Sequence, residues 1–203
     1  VVLVTSSVAG EGKSFIALNM AVTLALSGKK TLLIGLDLRK PKLSRYLGMD
    51  EHLPGITNVL IGDRPLDQVI IPSGVHEALD FLPSGPVPPN PAELILGPRM
   101  GATIEQLAAT YDYIILDSAP IGLVSDSLLL AAHAHATLFV VRQGVSKKNS
   151  LPLIDDLVRD QKLPSPAIVF NGVHAKRGYG YGYGYGYGYG YGYGYGYYEE
   201  DKK

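Results

Sequence analysis

Three stretches of this chain carry residue types and spacings suited to holding a polyphosphate: SVAGEGKS at residues 7–14, LLIGLDLRKP at 32–41 and YDYIILDSAP at 111–120. The first fits the phosphate-loop pattern G-x-x-x-x-G-K-[ST] at Gly12, Lys13 and Ser14, with Ser7 in place of the leading glycine. Small residues let consecutive backbone N–H groups turn inward on phosphate oxygens at the positive end of a helix. Lys13 would then reach the β- and γ-phosphates, and Ser14 would offer its hydroxyl to Mg²⁺. An ordinary strand-to-helix turn with a chance Gly-Lys-Ser is the plainer alternative. Gly10 and Gly12 ahead of the lysine, between an apolar strand and a helix, favour the phosphate loop.

The other two stretches are apolar strands that end in charge. Asp117 closes YIILD and puts a carboxylate at the edge of such a site, able to hold Mg²⁺ directly or through water. Its plainer alternative is a cap for the following segment. Asp37 and Arg39 follow LLIGL and could face the γ-phosphate; a solvated turn with an exposed charge pair is the alternative there.

These residues need a scaffold, and periodicity predicts one. Strands are expected at VVLVT, KTLLIGL, VII, LDFLPS, YIILD, ATLFVVR and PAIVFNGV. Helices are expected over KSFIALNMAVTLALSG, closed by Gly28, over NPAELILGPRMGATIEQLAATYD with a break at Gly97-Pro98, and over VSDSLLLAAHA and SLPLIDDLVRDQ. Asn90 and Pro91 suit an N-cap and a first helical position. Alternation of this kind predicts an α/β fold, a mostly parallel central sheet with helices on both faces. Ligands in such sheets bind at the carboxyl ends of the strands, where all three motifs fall.

Composition narrows the function further. The body before Gly178 carries 16 basic and 16 acidic residues, and the tail supplies the net charge of −1. A nucleic-acid binder usually shows a basic excess, so no nucleic-acid partner is expected. With no cysteine, disulfides and thiolate metal sites are excluded, and a reducing compartment fits. No apolar run approaches the roughly 18 residues needed to span a bilayer. Val1 to Thr5 lacks the features of a signal peptide, and opening directly on a core strand is what a piece of a longer protein would show. His133 and His135, two apart near a helix end, read as surface residues rather than a metal site. Lys147, Lys148 and Arg142 read as a solvated loop before contacts to nucleotide or a neighbour.

In this order and spacing the motifs resemble the bacterial tyrosine kinases of capsule and exopolysaccharide export. The likeness is carried by VTSSVAGEGKS, LLIGLDLRKPKL, LPSGPVPPNPAELI and YDYIILDSAPIGLVSD, and runs from Val1 to Val173. It implies a P-loop NTPase of deviant Walker type that uses ATP and Mg²⁺ to phosphorylate tyrosine, chiefly on other copies of itself. It places Ala9, Gly10, Glu11, Gly12, Lys13, Ser14 and Phe15 around the nucleotide, with Asn171 at a base-reading position. Lys13, Asp37, Arg39 and Asp117 form the implied catalytic set, and Ser14, Asp37 and Asp117 the metal set. It also implies a membrane-embedded polysaccharide co-polymerase module or activator as partner, and a cytoplasmic location at the inner face of the membrane.

Two departures stand out. The family pattern has two aspartates, D-x-D, in the second Walker motif, and Gly35 stands at the first. Phosphoryl transfer leans on positioning and charge stabilisation more than on a strong base, so activity is expected to survive, even if slowed. A weakly active nucleotide-binding scaffold is one alternative. A partitioning- or septum-placement-type ATPase is another, although those usually carry a signature lysine where this chain has SSVAG. The second departure is the helix that in the family precedes the first strand and helps subunits form a ring; the sequence begins at Val1, which leaves a ring open.

Eleven of the fourteen tyrosines lie in the C-terminal repeat: Tyr179, Tyr181, Tyr183, Tyr185, Tyr187, Tyr189, Tyr191, Tyr193, Tyr195, Tyr197 and Tyr198. Glycine at alternate positions makes helix or strand entropically costly, so the expected division is a kinase domain at 1–177 and a disordered tail at 178–203. Stacking or self-association is the plain reading of the repeat. Beside a kinase-like body, it reads as a strip of phosphate acceptors.

Overall fold

The computed structural model describes residues 1–148 and 150–174. The tail at 178–203, with the tyrosines read above as phosphate acceptors, lies outside the described residues. Seven strands form one sheet in the order β3-β4-β2-β5-β1-β6-β7. They are β1 Val2–Ser6, β2 Thr31–Leu36, β3 Ile71–Pro72, β4 Leu79–Leu82, β5 Tyr113–Ser118, β6 Ala136–Arg142 and β7 Pro166–Asn171. All pairs are parallel except β3 with β4. The expected α/β architecture is the one observed.

Two helical layers cover the sheet because its strands alternate between two apolar faces. On one face α1, Lys13–Leu26, lays Ala17, Ala21 and Ala25 onto Val4, Leu33, Phe81, Ile115 and Val140. Alanine at these positions lets the helix axis approach the strands closely, and it also has the highest helix propensity. The short α2, Leu43–Tyr46, adds Leu43 to the same cluster. The opposite face buries Leu3, Leu32, Ile34, Leu36, Leu116 and Phe139. It is covered by α3 Ile56–Ile61, α4 Pro91–Leu96, α5 Pro98–Ala108, α6 Asp126–Ala131 and α7 Ser150–Arg159.

The break at Gly97-Pro98 is as expected: Gly97 is extended at φ −64° and ψ 152°, and Pro98 opens α5. Asn90 does occupy the N-cap position of α4, but its amide donates to Glu93 Oε2 at 2.6 Å instead of capping the helix backbone. The strand expected at VII is displaced. Val69 ends a 3-10 turn at Leu66–Gln68, and only Ile71–Pro72 pairs, antiparallel to β4 at the sheet edge. The helix expected over VSDSLLLAAHA is shorter, Asp126–Ala131. No helix among the described residues is long and apolar enough to cross a membrane.

The topology fixes where a ligand belongs. From β1 the chain runs through α1 to β2 on one side of the sheet, and from β5 it runs through α6 to β6 on the other. The adjacent strands β1 and β5 therefore send their connections in opposite directions, which opens a crevice beyond their carboxyl ends. The 7–14 loop and Asp117 both stand there, Val4 being the register partner of Asp117.

Candidate nucleotide site at the carboxyl edge of the sheet

β1 ends at Ser6 and α1 begins at Lys13, so Ser7–Gly12 must turn the chain. Gly10 and Gly12 adopt φ of 88° and 96°, a left-handed backbone that favours glycine. At Gly12 the space is closed as well: a β-carbon there would lie 2.2 Å from Asn171 Nδ2. No side chain caps α1, and its first turn has no acidic residue. The orphan N–H groups and the positive end of the helix dipole thus remain available to an anion.

Glu11 is fully buried within this loop. Its carboxylate accepts from Ser7 Oγ at 2.7 Å and Val8 N at 2.8 Å, and Ser146 Oγ reaches it from the loop after β6. The Glu11 side chain therefore braces the loop and leaves only its backbone to face a phosphate. The same contact explains Ser7 at the pattern's first glycine, since its hydroxyl is a ligand of the brace. Two further donors hold the loop from the far strands. Arg142 Nη1 donates to Gly10 O at 3.0 Å, and Asn171 Nδ2 to Glu11 O at 2.9 Å. Asn171 Oδ1 in turn accepts from Gly172 N at 2.8 Å, so both ends of the amide are engaged. Asn171 and Arg142 line a cavity of about 370 Å³ with Gly12, Phe15, Lys42 and Tyr46. Arg142 is thus part of the site wall and not merely a solvated loop cation.

Lys13 Nζ lies 3.1 Å from Asp37 Oδ2, with both side chains about nine-tenths buried. Asp37 Oδ1 accepts from Lys40 N at 3.0 Å. Asp117 is 1% exposed, and burial pushes its carboxyl up to about 6, against the pull of the Lys13 ammonium and the Ser14 hydroxyl. Its Oδ1 has no hydrogen-bond partner among the described residues. An orphaned buried carboxylate oxygen beside a serine hydroxyl is an oxygen donor set of the type Mg²⁺ takes.

Arg39 does not stand free. Its Nε donates to Asp126 Oδ2 at 2.7 Å and its Nη2 to Asp126 Oδ1 at 3.0 Å, a two-pronged pair with a carboxylate at the start of α6. Held in that fork, Arg39 lines a second cavity of about 260 Å³ together with Ala9, Lys13, Asp37, Lys42 and Leu123. The two cavities share Gly10, Lys13 and Lys42, so they adjoin at the loop. Ala9 faces the second cavity and Phe15 the first. Sequence reasoning does not single out Asp126, Ser146, Lys42 or Tyr46. Asp126 closes the stretch YDYIILDSAPIGLVSD and Lys42 falls within LLIGLDLRKPKL, whereas Ser146 and Tyr46 lie in none of the quoted motifs.

A family model described as an AAA domain matches residues 1–141. Tyrosine-protein kinase YwqD of Bacillus subtilis is 36% identical over 182 residues, covering 88% of this chain and 76% of the relative. EpsB of Ralstonia nicotianae, named a putative tyrosine-protein kinase, is 40% identical over 141 residues, 70% of this chain, and there the chain spans only 18% of the relative's length. Among solved structures, the kinase domain of the Escherichia coli tyrosine kinase ETK superposes with a TM-score of 0.82 at 28% identity, over 92% of this chain and 72% of that one. The septum site-determining protein MinD of Pyrococcus horikoshii, solved with Mg-ADP, is 23% identical with a TM-score of 0.67 over 83% of this chain and 68% of that one, a likeness of fold alone.

Proposed function

The chain belongs to the bacterial tyrosine kinases, and from that membership we propose that it transfers the γ-phosphoryl group of ATP to tyrosines of a neighbouring copy. The observation that carries this reading is the buried Asp117, with an oxygen left unpartnered, set against Lys13 and Ser14 at the phosphate loop. In the proposed arrangement the loop and the start of α1 bind the phosphates through backbone N–H groups. Lys13 exchanges Asp37 for the β- and γ-phosphates, and Arg142 and Asn171 border the nucleoside. Ser14, Asp37 and Asp117 hold Mg²⁺, which when bound offsets charge on the transferring group. The phenol oxygen forms the new bond to phosphorus as the bond to the β-phosphate oxygen breaks, and the phenol proton leaves to solvent or a neighbouring carboxylate.

The second cavity, lined by Arg39, Leu123 and Val124, is where the acceptor ring would enter. Tyr179–Tyr198 supply acceptors, and about 20 residues at roughly 3.3 Å each reach some 65 Å at full stretch, enough to enter a neighbour's site. We assign membrane contact at the inner face to a partner or fused polysaccharide co-polymerase module. Incubation with Mg-ATP and mass-spectrometric mapping tests the reading: phosphate is expected on several tyrosines between 179 and 198. A nucleotide-bound protein with a bare tail would favour an assembly ATPase or a scaffold instead.

Arg39 provides a second test. Asp126→Asn keeps the shape of the partner but removes the charge that holds the guanidinium fork. Loss of positioning near the reacting atoms is expected to slow transfer roughly tenfold. Nucleotide affinity, read by fluorescent-ADP titration, is expected to stay unchanged because Asp126 lines neither cavity. An equal loss in both would place Arg39 among the nucleotide ligands.

A further inference from the structure

Gly35 pairs with Asp117 across β2 and β5. Leu33 and Ile115 belong to the cluster under α1, and alternate residues share a face, so positions 35 and 117 both face α1 and the phosphate loop. Backbone conformation does not demand glycine at 35, since its φ lies outside the left-handed region. The demand comes from Ser84. A β-carbon at position 35 would lie 2.6 Å from Ser84 Oγ and 3.3 Å from Ser84 N.

Ser84 cannot readily withdraw. It is 6% exposed, in the loop after β4, and its carbonyl accepts from Thr57 N at 3.0 Å and Thr57 Oγ1 at 2.7 Å. The start of α3 presses on the same loop: a β-carbon on Gly55 would meet Pro83 O at 2.1 Å and Gly85 N at 2.4 Å. The backbone of this loop is therefore fixed from two directions, and only the Ser84 hydroxyl has freedom to turn. It occupies the room that a side chain at 35 would need, on the face where Asp117 Oδ1 lacks a partner among the described residues.

We propose that Ser84 serves in place of a side chain at position 35, its hydroxyl closing the wall beside Asp117 and hydrogen-bonding the water shell of the divalent cation. Ser84 is a positioning residue in this scheme, acting through water on the ion held by Asp117 and Ser14. The proposal rests on the nucleotide-site reading above and not on the transfer to tyrosine. A carboxylate introduced at 35 would gain room there only after the Ser84 hydroxyl is removed.

Two measurements on the full chain test it. The first is the melting temperature of nucleotide-free Gly35→Ala, Ser84→Ala and the double variant. A bare methyl at an extended strand position ordinarily stabilises by reducing the freedom of the unfolded chain. With Ser84 intact, Gly35→Ala is expected to lower the melting temperature by roughly 2–4 °C. In the Ser84→Ala background the same substitution is expected to leave it unchanged or raise it. The second is Mn²⁺ binding in the presence of ADP, followed by electron paramagnetic resonance. Ser84→Ala is expected to weaken Mn²⁺ roughly tenfold while metal-free ADP affinity holds, the pattern of a lost outer-shell contact. Additive melting shifts in the cycle would mean Ser84 does not fill position 35. An unchanged Mn²⁺ affinity would reduce it to a filler, and either result overturns the proposal. A protein that shows both effects yet leaves its tyrosines bare keeps this inference and loses the kinase reading.

Discussion

Replacing Asp117 with asparagine is expected to cut tyrosine phosphorylation by about 10²–10³-fold and, at the same time, to stabilise the nucleotide-free protein. The two effects have one cause. Burial raises the Asp117 carboxyl from its ordinary 3.8 to about 6, so the folded protein binds that proton more tightly than the unfolded chain does. The stabilising contribution is full below about pH 4 and is lost as pH rises through about 6. Above that, the fold carries a buried charge at a cost on the order of 3 kcal/mol, at about 1.4 kcal/mol per unit. Asparagine removes the charge and keeps the shape. The melting temperature at pH 8 is expected to rise by roughly 6–12 °C, with the gain vanishing near pH 4. Differential scanning calorimetry at several pH values measures this. A fall in melting temperature at pH 8 would show that Asp117 is already compensated in the free protein. Added Mg-ADP should also stabilise the variant less than the parent, because ligand stabilisation scales with affinity.

Lys13→Met is expected to lower transfer by a similar factor, but with the opposite effect on stability. Lys13 and Asp37 neutralise each other nine-tenths buried, and removal of the ammonium strands Asp37 Oδ2. An unpaired, largely buried carboxylate costs on the order of 1–3 kcal/mol, so the free protein should melt several degrees lower. Lys40 N still holds Asp37 Oδ1, which limits the loss. Calorimetry of the two variants side by side is expected to give melting shifts of opposite sign. Shifts of the same sign would contradict the charge assignment at the site.

The phosphate loop, the paired acidic strand ends and the parallel sheet were legible in the sequence because each is a local pattern. GEGKS between an apolar strand and a helix needs no tertiary knowledge to be read, and neither does the Gly97-Pro98 break. Other features depend on which loops meet. Arg39 finds Asp126 across 87 positions of chain, and no spacing rule links them. Glu11 reads as a nucleotide contact, yet its carboxylate turns inward onto Ser7, Val8 and Ser146. Gly35 reads as a missing aspartate; only the fold shows that Ser84 fills the room. The edge strand β3 escapes its expected place because a two-residue antiparallel strand leaves almost no periodic signal.

The most direct measurement of the central claim mixes two chains. Isotopically labelled Lys13→Met protein, intact in its tail, is incubated with unlabelled parent protein and Mg-ATP, and each chain is mapped by mass spectrometry. The expected result is phosphate on tyrosines 179–198 of the labelled chain only when the parent is present. Bare tyrosines on both chains, in a parent shown to be nucleotide-bound, would contradict it.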